Sequence, residues 1–484
     1  MKRVAIVGGG IAGLAAAYEL ELARKRGADL DWQLYEASNR LGGIVETTRH
    51  GDFVLEGGPD GWVSEKPWAR ELAIELGLEN ALIHSNDATR KTYILINNKL
   101  LPMPDGMRMM VPENLAPLEA SPLFSPEARA AYAAEIGRAD ELKSEAPDAD
   151  ESVASFVRRH FGDEVLAKIG APLLSGVFGG DVERLSVRSV MPAFIAMERE
   201  HGSLIAALQA KSKARGNRPQ QPTFTSLRDG LGSLVDALVA KLPAERLHLN
   251  RSALSLKHEG NTWCLRTSTP SDRSIAGKSK RHFHYIFLAT PIDATRALLQ
   301  ACDPQAAALI PQTASSAVLA AFCWPAEVAA SFSVPTGFGF LVPQSGEKSS
   351  DQQNQLLAAT FVDQKFPHRA PHGARVLRVF FGGSSADALA PQSDETIASA
   401  AFAQLNTILG PLPAPDSALT TVRRWPRSLP QYEVGHLERI AELDQRIAAL
   451  GGLTLLGNGY RGVGLPDLIR DARTSVRGLI PRKA

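Results

Sequence analysis

The chain has few cysteines, no apolar run long enough to span a membrane, and no excess of either charge. Its three cysteines, Cys264, Cys302 and Cys323, form no CxxC pair, which argues against a disulfide framework and favours a reducing compartment. We therefore expect a cytoplasmic protein. The 53 lysines and arginines balance 52 acids, so no global field attracts nucleic acid, and we expect no nucleic-acid partner. The length of 484 residues predicts about three domains.

The N-terminus carries an uncharged stretch, residues 4–18, that has three interpretations. It follows Lys2 and Arg3, as the apolar core of a signal peptide would. It is too short for a membrane span, which needs about 18 apolar residues or more. Three consecutive glycines at residues 8–10 would also interrupt a helical signal core, at a cost of about 1 kcal/mol each relative to alanine. The third interpretation, a nucleotide-binding loop, explains the stretch better.

Residues 4–7 predict a buried parallel strand, and residues 14–22 predict a helix. The turn between them has a GxGxxG pattern, formed by Gly8, Gly10 and Gly13. Such glycines allow a tight turn, a close approach of backbone to a pyrophosphate, and close packing of the helix on the strand. The phosphates would then face the positive end of the helix.

A second strand, predicted over residues 31–35, ends at Glu36, whose carboxylate is placed to accept hydrogen bonds from a ribose. The segment that follows, with Arg40, Gly42 and Gly43, resembles the FAD-binding segment of the flavin amine oxidase and protoporphyrinogen oxidase superfamily. An arginine there supplies charge to the pyrophosphate, and the glycines let the chain pass close to the cofactor. The resemblance implies FAD as the cofactor.

Two more glycine loops extend the resemblance to both ends of the chain. One is residues 57–60, and the other leads from a predicted strand at 453–456 into a helix that opens over 463–469. In the family, backbone at the N-terminus of that helix faces the flavin ring. The implied cofactor-binding residues are Gly8, Gly10, Ile11, Ala12, Gly13, Glu36, Ala37, Arg40, Gly42, Gly43, Gly57, Gly58, Pro59, Asp60, Ala253, Trp425, Gly457, Val463, Gly464 and Leu465.

Five further segments resemble protoporphyrinogen oxidases in the same order: residues 172–181, 183–187, 226–234, 337–343 and 430–436. The resemblance implies an α/β fold with a discontinuous Rossmann-like FAD-binding domain, a mixed α+β substrate-binding domain and an inserted helical domain. The expected limits are 1–60, 222–298 and 418–484 for the first, 61–98 and 299–417 for the second, and 99–221 for the third. Alternating apolar residues over 246–267 predict a pair of strands within the FAD-binding part.

The expected helical domain contains four of the seven methionines, at residues 103–110. These side chains either fill an irregular core or form an apolar lip at which a porphyrinogen or a membrane surface docks. The domain is thus a candidate membrane-facing part, and any such attachment would be peripheral. Peripheral membrane contact and a homodimer both stay open.

The resemblance implies an oxygen-dependent oxidation of protoporphyrinogen IX to protoporphyrin IX in haem biosynthesis. Three two-electron hydride transfers to FAD would remove six hydrogens. After each transfer, oxygen would reoxidise the flavin and hydrogen peroxide would be released. Because the aromatic product supplies a large driving force, we expect no catalytic residue beyond the flavin. The alternatives are coproporphyrinogen III as substrate, a flavin amine oxidase, a carotenoid desaturase, or a flavin-binding scaffold without turnover.

Family comparison also implies residues that line the substrate pocket. Phe338 and Leu341 would sandwich a pyrrole ring, Thr360 and Phe380 would form further walls, and Gly176 would present backbone to pyrrole N–H groups. At the position where animal and plant members of the family place an arginine for a substrate propionate, this chain has Thr92, directly after Arg90 and Lys91. Either of these two cations could serve instead.

Two histidine pairs are candidate metal ligands. His282 and His284 share one face of a predicted strand, and an isolated pair is insufficient for a metal site. His368 and His372 have helical spacing, but neighbouring prolines make a helix there improbable. We predict no metal.

Overall fold

The computed structural model describes residues 1–216, 221–268, 279–344, 355–416 and 419–480. The strands are β1 (Lys2–Val7), β2 (Leu30–Tyr35), β3 (Thr47–His50), β4 (Phe53–Glu56), β5 (Trp62–Val63), β6 (Leu82–His84), β7 (Thr92–Ile96), β8 (Lys99–Pro102), β9 (Met107–Arg108), β10 (Val111–Pro112), β11 (Phe224–Leu227), β12 (Leu247–His248), β13 (Ala253–Glu259), β14 (Thr262–Thr267), β15 (Ser279–Phe283), β16 (Tyr285–Leu288), β17 (Ala314–Trp324), β18 (Gly339–Leu341), β19 (Ala358–Phe361), β20 (Arg375–Gly382), β21 (Thr420–Pro430) and β22 (Leu453–Leu455).

The helices are α1 (Ile11–Lys25), α2 (Trp68–Glu75), α3 (Ala116–Glu119), α4 (Pro126–Gly137), α5 (Ala139–Ser144), α6 (Val153–Phe161), α7 (Asp163–Val165), α8 (Ala171–Phe178), α9 (Val187–Val190), α10 (Pro192–His201), α11 (Leu204–Arg215), α12 (Gly232–Ala240), α13 (Ile292–Leu299), α14 (Pro304–Leu309), α15 (Ala326–Ala329), α16 (Val362–Lys365), α17 (Gly383–Leu389), α18 (Asp394–Leu409), α19 (His436–Leu450) and α20 (Leu465–Leu479). A π-helical turn, Leu166–Gly170, joins α7 to α8. None of the helices among the described residues combines the length and apolar character that crossing a membrane requires.

A five-stranded parallel sheet forms one half of the molecule, in the order β12-β2-β1-β16-β22. The chain leaves β1 through α1 towards β2 on one side, whereas β16 lies on the other side, so strand order reverses at β1. In parallel α/β sheets a ligand crevice opens at such a reversal, outside the carboxyl ends of the strands. The GxGxxG turn lies at this point, directly after β1.

The second half is a seven-stranded sheet, ordered β21-β17-β20-β19-β18-β7-β8, in which only the β18–β7 pair is parallel. Its buried face forms a core of its own, which includes Phe322, Phe340 and Phe361. Helices α4 and α6 to α11 contribute to a separate core around Phe156 and Tyr132. The Rossmann-like parallel sheet and its mixed α+β companion are thus the predicted α/β architecture.

The predicted strands over residues 4–7, 31–35 and 246–267 and the helices at 14–22 and after 463 are all present, with limits shifted by a few residues. The structure differs at the start of the expected helical part. Residues 99–112 contain β8, β9 and β10, and β8 forms a hairpin with β7 across the expected limit at residue 98. Likewise β21, expected in the FAD-binding part, pairs with β17 of the large sheet. The reason is that β8 and β21 find their backbone partners in that sheet, whereas β9 and β10 pair with each other. The division into domains stays a prediction.

The methionine-rich segment lies against the helical core. Met110 is fully buried there, and Met103, Met107 and Met109 are partly buried against the same core. This arrangement is what the core-filling interpretation predicts.

Candidate active site

The turn after β1 is built from glycines. At each of them except Gly10, a larger residue would clash with its surroundings. Gly8 has a φ of +108°, and a Cβ at Gly13 would lie 1.9 Å from the Gly8 carbonyl oxygen. Gly10 differs, since a Cβ there would find only the Gly43 Cα, 3.9 Å away. Helix α1 starts after Gly10 with no side-chain cap and no acid in its first turn. The N–H groups of that turn, at Ile11 and Ala12, are therefore free to bind an anion.

Glu36 is held at the carboxyl end of β2 by two backbone donors. Its Oε2 accepts from the Gly9 N–H at 2.7 Å, and its Oε1 accepts from the Ser38 N–H at 2.8 Å. Each carboxylate oxygen keeps a lone pair that can accept from a ribose hydroxyl. The neighbouring Ala37 is exposed. Ala253, at the start of β13, is close along the chain to Arg251, whose N–H donates to the Glu36 carbonyl oxygen at 2.8 Å.

The Arg40 segment closes over the GxGxxG turn. The Gly42 N–H donates to the Gly9 carbonyl oxygen at 2.8 Å, and a Cβ at Gly43 would lie 3.1 Å from the Gly10 Cα. Arg40 donates to the Gly43 carbonyl oxygen and forms an ion pair with Glu46 at 3.2 Å. Its guanidinium carbon lies 6.0 Å from the centre of the Trp425 ring. The structure therefore brings Trp425, from β21, to the same edge as the turn.

The glycine loop at residues 57–60 is held against the seven-stranded sheet. The Trp425 indole N–H donates to the Gly57 carbonyl oxygen at 2.6 Å, and Arg378 of β20 donates to the Gly58 carbonyl oxygen. A Cβ at Gly58 would lie 2.0 Å from the Ile44 carbonyl oxygen, which leaves room for glycine only. Pro59 follows and is half-buried. Two side chains of the seven-stranded sheet, Trp425 and Arg378, thus fix the backbone of this loop.

Asp60 ends this loop as part of a buried group of charges. Its carboxylate lies 3.0 Å from the Lys365 ammonium and 3.5 Å from the Arg378 guanidinium. Burial alone would raise the pKa of Asp60, but the charges of Lys365 and Arg378 outweigh burial and lower it. Burial lowers the pKa of Arg378 although Asp60 and Glu56 oppose the shift. Sequence reasoning missed Arg378, and the only available signal was an arginine inside the apolar run of β20.

The second glycine loop follows β22 and leads into α20. Gly457 has a φ of +118°, and Gly464 precedes α20 with no side-chain cap. Tyr432 braces the loop, because its hydroxyl donates to the Asn458 carbonyl oxygen at 2.6 Å and accepts from the Gly462 N–H at 3.0 Å. Val463 lies between these glycines, and Leu465 is buried at the start of α20. Tyr432 belongs to segment 430–436, which sequence analysis noted without assigning it a role.

The five predicted substrate-pocket residues lie on adjacent elements. Gly339 pairs with Thr360, and Ala358 pairs with Phe380, so β18, β19 and β20 carry these residues side by side. Phe338 directly precedes β18, which ends with Leu341. Gly176 of α8 faces this sheet, since a Cβ there would lie 3.9 Å from the Leu341 side chain. Their role in binding a substrate stays a prediction.

The two candidate propionate partners differ in their contacts. Arg90 is exposed and donates to the Thr223 hydroxyl at 2.6 Å. Lys91 is exposed, and its carbonyl oxygen accepts from the Phe338 N–H at 2.7 Å. Thr92 pairs with Gly339 across β7 and β18. The Lys91 backbone therefore lies beside the segment of Phe338, whereas the Arg90 side chain is bound to Thr223.

One group of side chains among the described residues has metal-ligand spacing, Glu259, Cys264 and His282 on the β13–β14–β15 sheet. The Glu259 carboxylate already forms an ion pair with Lys280 at 3.3 Å. Burial and the Glu259 charge raise the pKa of the Cys264 thiol, which disfavours the thiolate that a metal requires. We assign no metal site to this group.

The parallel sheet and its glycine turns define a dinucleotide-binding flavoprotein. Gly10 leaves space for a phosphate, the uncapped start of α1 provides donors, and Glu36 provides acceptors, so the residues present fit the pyrophosphate and ribose of FAD. When bound, FAD supplies two-electron oxidation by accepting a hydride.

Comparisons with known proteins establish the family. Residues 11–480 match the model of the flavin containing amine oxidoreductase family, and the chain belongs to that family. It is 31% identical to coproporphyrinogen III oxidase of Bacillus subtilis, over 98% of this chain and 97% of that protein. It is 29% identical to protoporphyrinogen oxidase 1 of Arabidopsis thaliana, over 96% of this chain and 86% of that protein.

A solved structure from Exiguobacterium sp. 255-15, provisionally assigned as a protoporphyrinogen oxidase, is 30% identical and has a TM-score of 0.82 over 99% of this chain and 98% of that one. The predicted family, fold class and FAD cofactor are confirmed, and the protein is an FAD-dependent oxidoreductase with porphyrinogen oxidases of haem biosynthesis as its relatives.

Proposed function

We propose that this protein oxidises protoporphyrinogen IX to protoporphyrin IX with oxygen as the final acceptor. Six hydrogens leave the macrocycle in three two-electron steps, three molecules of oxygen are consumed, and three of hydrogen peroxide are released. The observation that carries the proposal is that the expected substrate-pocket wall adjoins the loop expected at the flavin. The apolar wall on β18–β20 and α8 adjoins the glycine loop at residues 57–60, through Arg378 and Phe380 on one strand.

The residues of this wall suit a flat, electron-rich macrocycle. Phe338 and Phe380 offer aromatic faces, and Leu341 offers an aliphatic one, so a porphyrinogen could be held by stacking and burial rather than by hydrogen bonds. Gly176 is exposed on α8, and its missing side chain leaves its backbone open to a ring placed against Leu341. On this proposal the chain binds and orients the substrate and keeps water away from it, and no side chain takes a proton.

Coproporphyrinogen III is the second candidate, and the names of relatives favour it. The relatives from Bacillus subtilis and from Propionibacterium freudenreichii, each 31% identical, are coproporphyrinogen III oxidases. This substrate carries four propionates instead of two. Arg90 and Lys91 are two consecutive exposed cations directly before β7, where additional carboxylates could be met.

The remaining partners are proposals too. Oxygen is the expected acceptor, a homodimer and a peripheral membrane contact through the helical part stay open, and we propose a cytoplasmic location. Gel filtration with light scattering tests the dimer. Sedimentation with vesicles of anionic and zwitterionic lipid tests the membrane contact.

Oxygen consumption by the purified yellow protein, measured on protoporphyrinogen IX and coproporphyrinogen III in parallel, tests the function. We expect oxygen uptake, peroxide formation and porphyrin fluorescence with the preferred substrate. The ratio of kcat/KM for the two porphyrinogens decides between them. Protein that retains FAD but consumes no oxygen with either would contradict the proposal and support a scaffold, and uptake with a primary amine alone would support an amine oxidase.

A further inference from the structure

Five charged side chains are gathered behind the glycine loop at residues 57–60. Arg369 and Arg378 are 1% and 2% exposed, and Glu56 is 3% exposed. Lys365 pairs with Asp60 at 3.0 Å, and Arg369 pairs with Glu56 at 2.6 Å. Three cations therefore face two acids, and this buried charge cluster carries one positive charge in excess.

Arg378 is the cation without an acid of its own. It shares Asp60 with Lys365 at the longer distance of 3.5 Å, and its Nε, although buried, has no hydrogen-bond partner. Its other contacts are the Gly58 carbonyl oxygen and the face of the Phe380 ring, whose centre is 5.1 Å from the guanidinium carbon. The Arg378 side chain thus contacts both the glycine loop at residues 57–60, which we expect to lie at the flavin, and Phe380, which we expect to lie in the wall of the substrate pocket.

An unneutralised buried cation is costly, because burial removes its hydration and interior charges are weakly screened. The same weak screening makes it effective on any negative charge that forms nearby. Reduction of a flavin by hydride creates such a charge, and nearby protein charges tune the energy of that change. A fixed positive charge behind the loop would therefore favour the reduced form.

We propose that Arg378 is a positioning residue that holds the Gly58 carbonyl in place and supplies the positive charge that stabilises reduced FAD. It also supports Phe380, so the pocket wall and the flavin loop move as one unit. This inference rests on the proposed placement of loop 57–60 at the flavin. It does not depend on which porphyrinogen is oxidised.

The test is the midpoint potential of FAD in the purified holoenzyme, measured by dye-coupled reductive titration with the flavin spectrum recorded throughout. Arg378→Met keeps an unbranched chain and removes the charge, whereas Arg378→Lys keeps the charge. The matched control is Arg375→Met, on the same strand, whose guanidinium pairs with Asp363 and does not contact the loop. We expect Arg378→Met to lower the reduced-to-oxidised ratio at a given potential by about tenfold, which is about 30 mV for a two-electron couple.

Arg378→Lys should recover most of that shift, and Arg375→Met should show none. An unchanged potential in Arg378→Met with full flavin content overturns the proposal, and so does an equal shift in Arg375→Met. If Arg378→Met does not fold, Lys365→Met provides the decisive measurement, because it also removes the excess charge and should also lower the potential. An unchanged potential there overturns the proposal. Failure of the proposed function would show separately, as wild-type holoenzyme with a normal flavin titration and no oxygen uptake on either porphyrinogen.

Discussion

Gly10 and Gly13 stand three residues apart in one turn and have opposite surroundings. A Cβ at Gly13 would collide with the Gly8 carbonyl oxygen at 1.9 Å, so glycine there is a requirement of the fold itself. A Cβ at Gly10 meets nothing closer than 3.9 Å, and its φ of −70° suits any residue. Neither the packing nor the backbone conformation of the protein requires glycine at residue 10. Glycine also costs conformational entropy on folding, so its presence here is best explained by a phosphate that lies against it.

Gly10→Val should yield folded protein that does not retain FAD, because the branched side chain occupies the space that the pyrophosphate needs. Absorbance at the flavin bands, relative to protein, and far-ultraviolet circular dichroism measure the two properties. Gly13→Ala is the contrasting variant, and we expect it to lose folded yield instead. A Gly10→Val protein that purifies with full flavin content would show that the phosphates lie elsewhere.

Phe338→Ala should lower kcat/KM for the porphyrinogen by tenfold or more, because one aromatic face of the pocket is lost, which is worth about 1.4 kcal/mol or more at the transition state. The flavin spectrum should not change. Phe332→Ala is the control: Phe332 is half-buried against Trp324 in the same half of the molecule and is not among the pocket residues. Equal kinetic effects in both variants would remove Phe338 from the pocket.

At the scale of elements, the sequence patterns predicted those strands, turns and helices whose formation depends on neighbouring residues in the chain. The strand, glycine turn and helix of β1 and α1 were predictable because burial, turn geometry and helix packing there are all encoded within residues 2–25. The link of Arg378 to the Gly58 carbonyl was not, because the partners are 320 positions apart and neither sequence neighbourhood signals the other. The bracing role of Tyr432 was missed because its partners, 26 and 30 positions further along the chain, are likewise not signalled by its sequence neighbours.

Tyr432→Phe should loosen the loop between β22 and α20, since two hydrogen bonds to loop backbone disappear while the ring remains. Loss of a buried hydrogen bond costs about 1–3 kcal/mol, so a measurable drop in the free energy of unfolding is expected. Weaker FAD binding should accompany it. Tyr285→Phe is the matched control, because its hydroxyl also makes a hydrogen bond in this half of the molecule, to Thr454 of β22 at 2.7 Å, but none to that loop. If Tyr285→Phe weakens FAD binding as much as Tyr432→Phe does, the two hydrogen bonds of Tyr432 to the loop have no special role in holding the cofactor.

His436 at the start of α19 should make stability depend on pH. Its Nε2 donates to the Tyr460 carbonyl oxygen at 2.9 Å, its Nδ1 is buried without a partner, and burial lowers its pKa to about 4. An unfolded histidine titrates near pH 6.5, so the unfolded chain binds the proton first as pH falls. Stability contributed by the neutral ring is therefore complete above about pH 6.5 and declines towards pH 4, by an amount on the order of 3 kcal/mol.

Urea unfolding between pH 7.5 and pH 4.5 measures this dependence. His436→Leu should be less stable at neutral pH, because the bond to Tyr460 is lost, and its stability should fall less steeply towards acid pH. Parallel curves for the two proteins over this range would assign the acid sensitivity to other groups.

At the scale of the whole molecule, the flavin site is assembled from distant parts of the chain. The parallel sheet takes β1 and β2 from the N-terminus, β12 and β16 from the middle and β22 from near the C-terminus, and α1 packs against α20. The sequence pattern identified the segments that enter this sheet. It could not show how the seven-stranded sheet meets the segment around β3 and β4, since that depends on pairs such as Trp425 with Gly57 and Arg423 with Glu46, which are joined only in the folded chain.

Because the site joins both ends of the chain, FAD should stabilise the molecule as a whole. A ligand that binds only the folded state adds about 2.7 kcal/mol at a free concentration 100 times its Kd, and about 1.4 kcal/mol more for each further tenfold. We expect the Tm of protein stripped of flavin to rise with added FAD, and amide hydrogen exchange to slow together at residues 8–13 and 462–468. Gly10→Val should show neither response, and NAD, which lacks the flavin ring, should protect residues 8–13 without residues 462–468. Protection of the N-terminal turn alone by FAD would mean that the loop before α20 does not contact the cofactor, and the two ends of the chain would then be joined by protein packing only.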